Sequence, residues 1–259
     1  MARKKSRLVL LASALIVVIY TIVIYAQSSQ ANRPNQPPAA QAEGPVIDYA
    51  GPDSPDKTDS SLTGTERDRR HAKSGTYDRA GSLPIKEDPN MWPVNLSSHW
   101  WLHLPALPVA QSDTIVVGSV TGSHAFLSND KHVVYSEFYL QVEQMLKDGT
   151  QNINLGDVIT TTRYGGIVRF PSGRKYVYRL SRQAWPATGS RYVLFLRRNQ
   201  SGDFDILTGY EIRNGEAEPL DGSDKGHPLQ FQKYAGTPEA AFLEEIRTTI
   251  LNSTAGEHP

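Results

Sequence analysis

Apolar and polar positions divide the chain into three stretches of different character. Residues 8–26 contain no charged side chain, residues 27–90 are mostly polar, and apolar residues return in short groups from residue 91 onward. A helix over residues 8–26 would be about 28 Å long, close to the roughly 30 Å hydrocarbon thickness of a bilayer. The first stretch therefore predicts a transmembrane helix.

The charges that flank this helix predict its orientation. Residues 1–7 carry four cations, and the first charge after the helix is Arg33. Because positive charge stays on the cytoplasmic side, residues 1–7 are predicted to be a cytoplasmic tail and the rest of the chain extracytoplasmic, in the periplasm or outside the cell. Removal of the helix as a signal peptide, with cleavage near Ala26, is the alternative and would make the protein secreted.

Residues 27–90 contain too few apolar side chains for a core of their own. Their large aliphatic residues are Val46, Ile47, Leu62, Leu83 and Ile85. Such a segment cannot bury enough apolar area to offset the entropy of ordering it. We predict a disordered linker over residues 27–90, in which the charged run 66–73 is a solvated stretch.

Alternating apolar and polar positions predict β-strands after residue 110. In residues 132–143 one face carries Val134, Phe138, Leu140 and Val142, and the other carries polar residues and tyrosines. Further strands are predicted over 113–121, from 156, and over 174–182, 191–198 and 204–212, with turns every 8–12 residues. Short strands at this spacing predict a mainly β domain, either a small closed barrel or a sandwich, over residues 111–222.

The domain is flanked by two other predicted segments. Residues 91–110 form a lead-in that contains Trp92, Trp100 and Trp101. Residues 223–259 comprise a linker and an amphipathic helix, because Thr237 suits an N-cap and Pro238 the first helical position. The stripe that repeats at helical spacing consists of Phe242, Leu243, Ile246 and Ile250.

Four segments of the β domain resemble a known family. They are 112–120 (SDTIVVGSV), 138–147 (FYLQVEQMLK), 156–159 (GDVI) and 189–196 (GSRYVLFL). In this order they resemble a group of secreted or anchored bacterial proteins with an OB-like β-barrel, and more distantly the netrin and metalloprotease-inhibitor (TIMP-like) barrel. The resemblance implies an OB-like barrel over about residues 110–215. TIMP-like inhibitors act through an N-terminal cysteine, and this chain has no cysteine, so their mechanism is not implied.

Composition and motifs argue against an enzyme. The absence of cysteine excludes disulfides, thiolate metal sites and cysteine nucleophiles. We find no G-x-S-x-G, P-loop or dinucleotide motif. His99 and His103 have a spacing that suits a metal on a helix, but no third ligand is apparent. We therefore expect no catalytic residue, no metal and no cofactor.

One stretch carries positive charge without nearby acids. The formal net charge of the chain is +0, yet no Asp or Glu lies between Asp157 and Asp203. The cations of this stretch are Arg163, Arg169, Arg174, Lys175, Arg179, Arg182, Arg191, Arg197 and Arg198. Such a cluster predicts a face with a positive field. The alternative is a solvated face neutralised in three dimensions by acids such as Glu137, Glu143 and Asp205.

These features predict a non-catalytic binding module held outside the membrane. The partner would be an anionic glycan, a cell-wall polymer or a lipid headgroup, and nucleic acid is not expected outside the cytoplasm. The candidate ligand-binding residues are Arg163, Arg169, Lys175, Arg179, Tyr164 and Tyr192. The alternative is a structural or protein-interaction domain for assembly or protease modulation, which would contact its partner through Trp92, Trp100 and Trp101.

Overall fold

The chain divides into two units, Met1–Glu43 and Gly44–Pro259. The structure, a computed structural model, describes residues 44–51, 63–79, 85–88, 94–96, 100, 102–149, 153–222 and 229–255, all in the second unit. The predicted cytoplasmic tail (1–7) and transmembrane helix (8–26) lie outside the described residues. No helix among the residues described is both long and apolar enough to span a bilayer.

The described residues are mainly β-strand, as the alternating pattern predicts. In chain order the elements are β1 (Val46–Asp48), α1 (Gly64–Gly75), β2 (Val94–Leu96), β3 (Thr114–Leu127), β4 (Val134–Asp148), β5 (Val158–Tyr164), β6 (Gly166–Arg169), β7 (Lys175–Leu180), β8 (Arg191–Arg198), β9 (Phe204–Arg213), β10 (Glu216–Pro219), a 3-10 helix (Gln230–Tyr234), β11 (Thr237–Pro238) and α2 (Glu239–Ala255). The strands predicted over 191–198 and 204–212 match β8 and β9 closely.

The strands form two sheets. The larger sheet has the order β11-β10-β9-β5-β4-β3-β8, and β9 also pairs with β8. Each of β3, β4, β5, β8 and β9 therefore pairs with two others of these five strands. The β5–β9 pairing is parallel, and the other pairings among the five are antiparallel. The smaller sheet has the order β1-β6-β7-β2.

The interior of the larger sheet confirms the predicted apolar face of β4. Phe138, Leu140 and Val142 lie in one hydrophobic cluster, together with residues of β3, β8 and β9. The opposite face of β4 differs from the prediction, because Tyr135 and Glu137 on it are also buried. Glu137, expected to be a solvated charge, is only 1% exposed. Another part of the chain must therefore cover this face.

The covering segment is α1, within the predicted linker. The prediction of disorder over residues 27–90 is wrong for 44–51, 63–79 and 85–88, which form part of the domain. Two of its apolar residues, Ile47 and Ile85, are buried in a cluster with residues of both sheets, and Ile85 N donates to Lys131 O at 2.9 Å. A segment with too little apolar area to fold alone can thus be ordered by a core that the rest of the chain supplies.

The predicted C-terminal helix is present as α2. Phe242 and Ile246 are fully buried, and the Phe242 ring lies 4.6 Å from the Tyr210 ring. The helix begins at Glu239, one residue later than predicted, because Thr237 and Pro238 form β11 and pair with β10. The helix closes over the cluster that also contains Phe231.

Candidate functional site

A groove with a cavity volume of about 960 Å³ opens between four parts of the fold. They are the residues that follow α1, the end of β5, the β8–β9 loop and the lead-in near Trp100. Its charged and aromatic lining includes Arg79, Arg197, Arg198, Tyr77, Tyr164 and Trp100. The volume is of the size that proteins use to hold small molecules or short polymers.

Two of the groove's cations are placed by the end of β8. Arg197 and Arg198 are exposed where the strand runs into the β8–β9 loop. The Arg198 backbone N–H donates to Asp113 Oδ2 at 2.8 Å, and the Asn199 N–H donates to Asp203 O at 2.9 Å. These bonds fix the turn, so both guanidinium groups start from a rigid strand end.

The third cation comes from the segment after α1. The Arg79 backbone N–H donates to Asp130 Oδ2 at 2.6 Å, and its guanidinium carbon lies 5.6 Å from the centre of the Tyr164 ring. This separation is within the range of a cation–π contact. Arg79 therefore lies beside the Tyr164 ring of the groove, and its side chain is exposed to solvent.

The groove offers little negative charge to compete for these arginines. Among the described residues that line it, Asp205 is the one carboxylate. Its Oδ1 accepts hydrogen bonds from Thr162 Oγ1 at 2.8 Å and from Asn199 Nδ2 at 3.0 Å. Asp205 is thereby held by hydrogen bonds to other residues of the groove lining. The surplus of positive charge suits an anionic ligand.

Aromatic side chains form the second component of the lining. The Tyr77 ring meets the Tyr164 ring edge-on at 5.3 Å and stacks on Tyr135 at 4.2 Å. Burial raises the pKa of the Tyr77 hydroxyl well above its ordinary value, so the phenol stays neutral. Trp100 donates from Nε1 to Ser181 O at 3.0 Å and lies parallel to Phe231 at 6.0 Å. These rings are held rigidly by the domain itself.

No protein-family model matches the chain, and a search of curated proteins finds no match.

The sequence-predicted ligand residues do not converge on the groove as a set. Arg163 and Tyr164 line it, but the Arg163 side chain is buried and forms a two-bond pair with Asp221, at 2.7 Å for each bond. Arg169 and Lys175 are cross-strand neighbours in the smaller sheet. Arg169 pairs there with Asp48.

The last two predicted ligand residues lie elsewhere. Arg179 is half-buried on β7. Tyr192 is only 2% exposed, and its hydroxyl accepts a hydrogen bond from the Ala187 N–H at 2.9 Å. Neither residue lines the groove.

Ion pairs with acids from other parts of the chain neutralise three arginines of the stretch between Asp157 and Asp203. Arg163 pairs with Asp221 and Arg169 with Asp48, and Arg191 binds Glu143 at 2.6 Å and Glu239 at 2.7 Å. These acids come from distant parts of the sequence, so a linear count of charge missed them. The alternative interpretation therefore holds for these three arginines. Of the described cations in this stretch, Arg197 and Arg198 are the exposed ones that line the groove.

Sequence reasoning missed Arg79 altogether. The residue lies in the predicted linker, where no position was expected to have a fixed place. The signal available was Tyr77 two residues earlier, an aromatic side chain that a disordered segment does not need.

Of the other candidate residues, Trp92, Trp101 and His99 lie outside the described residues, and His103 lines the groove. The described residues contain no group of three side chains that could hold a metal ion.

Tyrosines beneath α1 predict a loss of stability at high pH. Burial raises the pKa of Tyr135 from 10.0 to about 12. A folded-state pKa above the unfolded value favours the neutral phenol, so this contribution is complete below about pH 10 and is lost as pH rises toward about 12. Urea midpoints at pH 9 and pH 11 measure the loss. Tyr135→Phe should show a smaller pH difference than wild type, and an equal difference would contradict the assignment.

Proposed function

We propose that β3, β4, β5, β8 and β9 form a small closed barrel of the OB type. The proposal is supported by the ring of pairings, in which every one of the five strands has two partners among the others, and by the parallel β5–β9 pair. It agrees with the OB-like resemblance of residues 110–215. OB barrels bind oligosaccharides and oligonucleotides on the face of their second and third strands and with the adjoining loops.

We propose that the domain is a non-catalytic module that binds an anionic glycan in the groove. The observation that carries this proposal is the described lining, in which Arg79, Arg197 and Arg198 share the groove with rigid aromatic rings and with one carboxylate, Asp205, that accepts a hydrogen bond from Thr162. Guanidinium groups make paired hydrogen bonds to carboxylate and phosphate. Flat rings offer an apolar surface to a sugar. A polymer with both features suits this groove.

The proposed location outside the cell membrane favours a glycan or cell-wall polymer over nucleic acid. We propose a single-pass protein with residues 1–7 in the cytoplasm, residues 8–26 in the bilayer and the β domain outside. The support is the uncharged run and the cations before it. The mass of the mature chain tests this arrangement, because cleavage near Ala26 would remove the membrane segment.

Charge reversal in the groove should abolish most of the binding. In the Arg197→Glu/Arg198→Glu variant, we expect affinity for an anionic glycan such as a polyuronate to fall at least about tenfold, because two attractive charges become repulsive. The full chain in a non-ionic detergent is titrated with the polyuronate. Wild-type binding should weaken steeply as salt rises from low to physiological ionic strength.

A second charge reversal tests whether the groove or the smaller sheet binds the glycan. Arg174→Glu/Lys175→Glu changes the net charge by the same amount at exposed positions outside the groove lining. Affinity should change less than about twofold, since only long-range screened interactions are altered. Equal losses in both variants would show a diffuse charge effect, and loss in the second alone would favour the face around Lys175. Binding to anionic vesicles but not to the polyuronate would reject the glycan in favour of lipid headgroups.

A further inference from the structure

Helix α1 lies on the outer face of β4 and makes contact mainly through charge. Of its 12 residues, Lys73 and Ser74 are the buried ones. The Lys73 side chain is 1% exposed, with Nζ 2.7 Å from Glu137 Oε1 and also in contact with Asp203. A buried lysine between two carboxylates is a specific contact, because either charge alone would be costly to bury.

A second basic side chain of α1 fills the neighbouring position on the same face. The Arg70 guanidinium carbon lies 3.8 Å from the centre of the Phe126 ring, and Nη1 lies 3.5 Å from Glu137 Oε1. Residues three apart project from the same side of a helix, so Arg70 and Lys73 contact the same face of β4. Ser74 Oγ completes the contact at 2.9 Å from the Tyr135 hydroxyl.

The receptor side of this contact is built from the sheet and two loops. Phe126, Tyr135 and Glu137 are buried residues of β3 and β4. Asp203 belongs to the β8–β9 loop, and Asn129 of the β3–β4 loop donates from Nδ2 to His71 O at 2.9 Å. In the OB arrangement proposed above, these are the strand face and loops on which ligands bind. We call the surface formed by Phe126, Tyr135, Glu137 and Asp203 the helix-binding face.

We propose that the helix-binding face is a receptor site for a basic helix of a partner protein, and that α1 fills it within the same chain. The partner helix carries an arginine and, three residues later, a lysine that enters the space between Glu137 and Asp203. Charge complementarity identifies this occupant, since the face presents two carboxylates and an aromatic ring to a cation pair. This site adjoins the glycan groove, which contains Arg197 and Arg198, because Tyr77 of the groove lining stacks on Tyr135 of the helix-binding face at 4.2 Å.

Because α1 already occupies the helix-binding face, it sets the affinity that a partner helix must exceed. A tethered segment acts at an effective concentration of roughly millimolar, so a free helix of equal affinity competes only when α1 is weakened. Charge contacts carry most of the docking of α1, and ten of its 12 residues are not buried. A partner helix that presents the same arginine and lysine and makes further contacts beyond them would therefore displace it.

Binding of the helix in trans is measured on a chain whose own α1 is disrupted. Ala72→Pro breaks α1, because proline removes the Ala72 N–H and clashes with the preceding turn, while every residue of the helix-binding face is kept. Ala72 is exposed. A fluorescent peptide of residues 63–79 should bind the full-length Ala72→Pro chain at least tenfold more tightly than the wild-type chain. Ala72→Ser is the matched control and should behave as wild type.

Two further measurements decide the outcome. Trypsin cleavage after Arg69 reports release of α1. If α1 stays protected in Ala72→Pro, Lys73→Met, which removes the buried ammonium, takes its place. A peptide with Lys73→Glu should bind at least tenfold more weakly. Arg174→Glu/Lys175→Glu in the chain should change peptide binding less than about twofold, because both positions lie outside the helix-binding face and the groove lining. The proposal is overturned if the peptide fails to bind the released chain, or binds wild type and variant equally.

Discussion

Asp221→Asn should lower the free energy of unfolding by about 3–5 kcal/mol, the usual cost of leaving a buried charge without its partner. Asp221 is fully buried and accepts two hydrogen bonds from Arg163, one from Thr208 Oγ1 at 2.9 Å and one from the Ala184 N–H at 2.9 Å. Asparagine keeps the shape but leaves the guanidinium uncompensated beneath the groove. Urea unfolding of the full chain, followed by tryptophan fluorescence, measures the change.

Two controls test whether the buried pair is the cause. Arg163→Met should destabilise the Asp221→Asn chain less than it destabilises wild type, because the orphaned charge is removed. Asp48→Asn breaks an ion pair whose side chains are 48% and 63% exposed, and it should cost less than about 1 kcal/mol. Similar losses for Asp221→Asn and Asp48→Asn would contradict the special role of the buried pair.

Gly165→Ala should destabilise the domain by about 3 kcal/mol or more, through backbone strain and a steric clash together. Gly165 turns the chain from β5 into β6 with φ 90°, in the left-handed region. A methyl group there would overlap the Tyr178 carbonyl oxygen of β7. Since Tyr164 precedes this turn, the substitution should also weaken binding in the groove. Thermal unfolding and the polyuronate titration measure the two effects.

Gly173→Ala separates conformational strain from the clash. Gly173 also has a positive φ, 85°, but a Cβ there would meet nothing within 4 Å. We expect a loss of about 1–2 kcal/mol, the cost of a left-handed alanine. If both variants lose the same stability, the close approach of Tyr178 is not what requires glycine at position 165.

The predicted linker shows where local reasoning stops. Residues 64–75 are polar, and their pattern indicates a solvated stretch, because helix stability in water depends on an apolar face. The structure orders them by means of Glu137 and Asp203, two acids that are 66 residues apart in the sequence. Glu137 likewise falls on the polar face of β4 in the alternating pattern, and it is buried because α1 covers it. No local pattern records such a pairing.

The sequence by itself determined the main parts of β3, β4, β5, β7, β8 and β9, the turns between them and the C-terminal helix, but it did not predict β1, β2, β10 or β11. These depend on the alternation of neighbouring side chains and on turn residues, which act over a few positions. Only the tertiary structure decided which charges remain available. Asp48, Glu239 and Asp221 remove three arginines from a stretch that has no acids of its own. Arg79 joins Arg197 and Arg198 from a distant segment, because electrostatic partners are set by distance in space and not by distance along the chain.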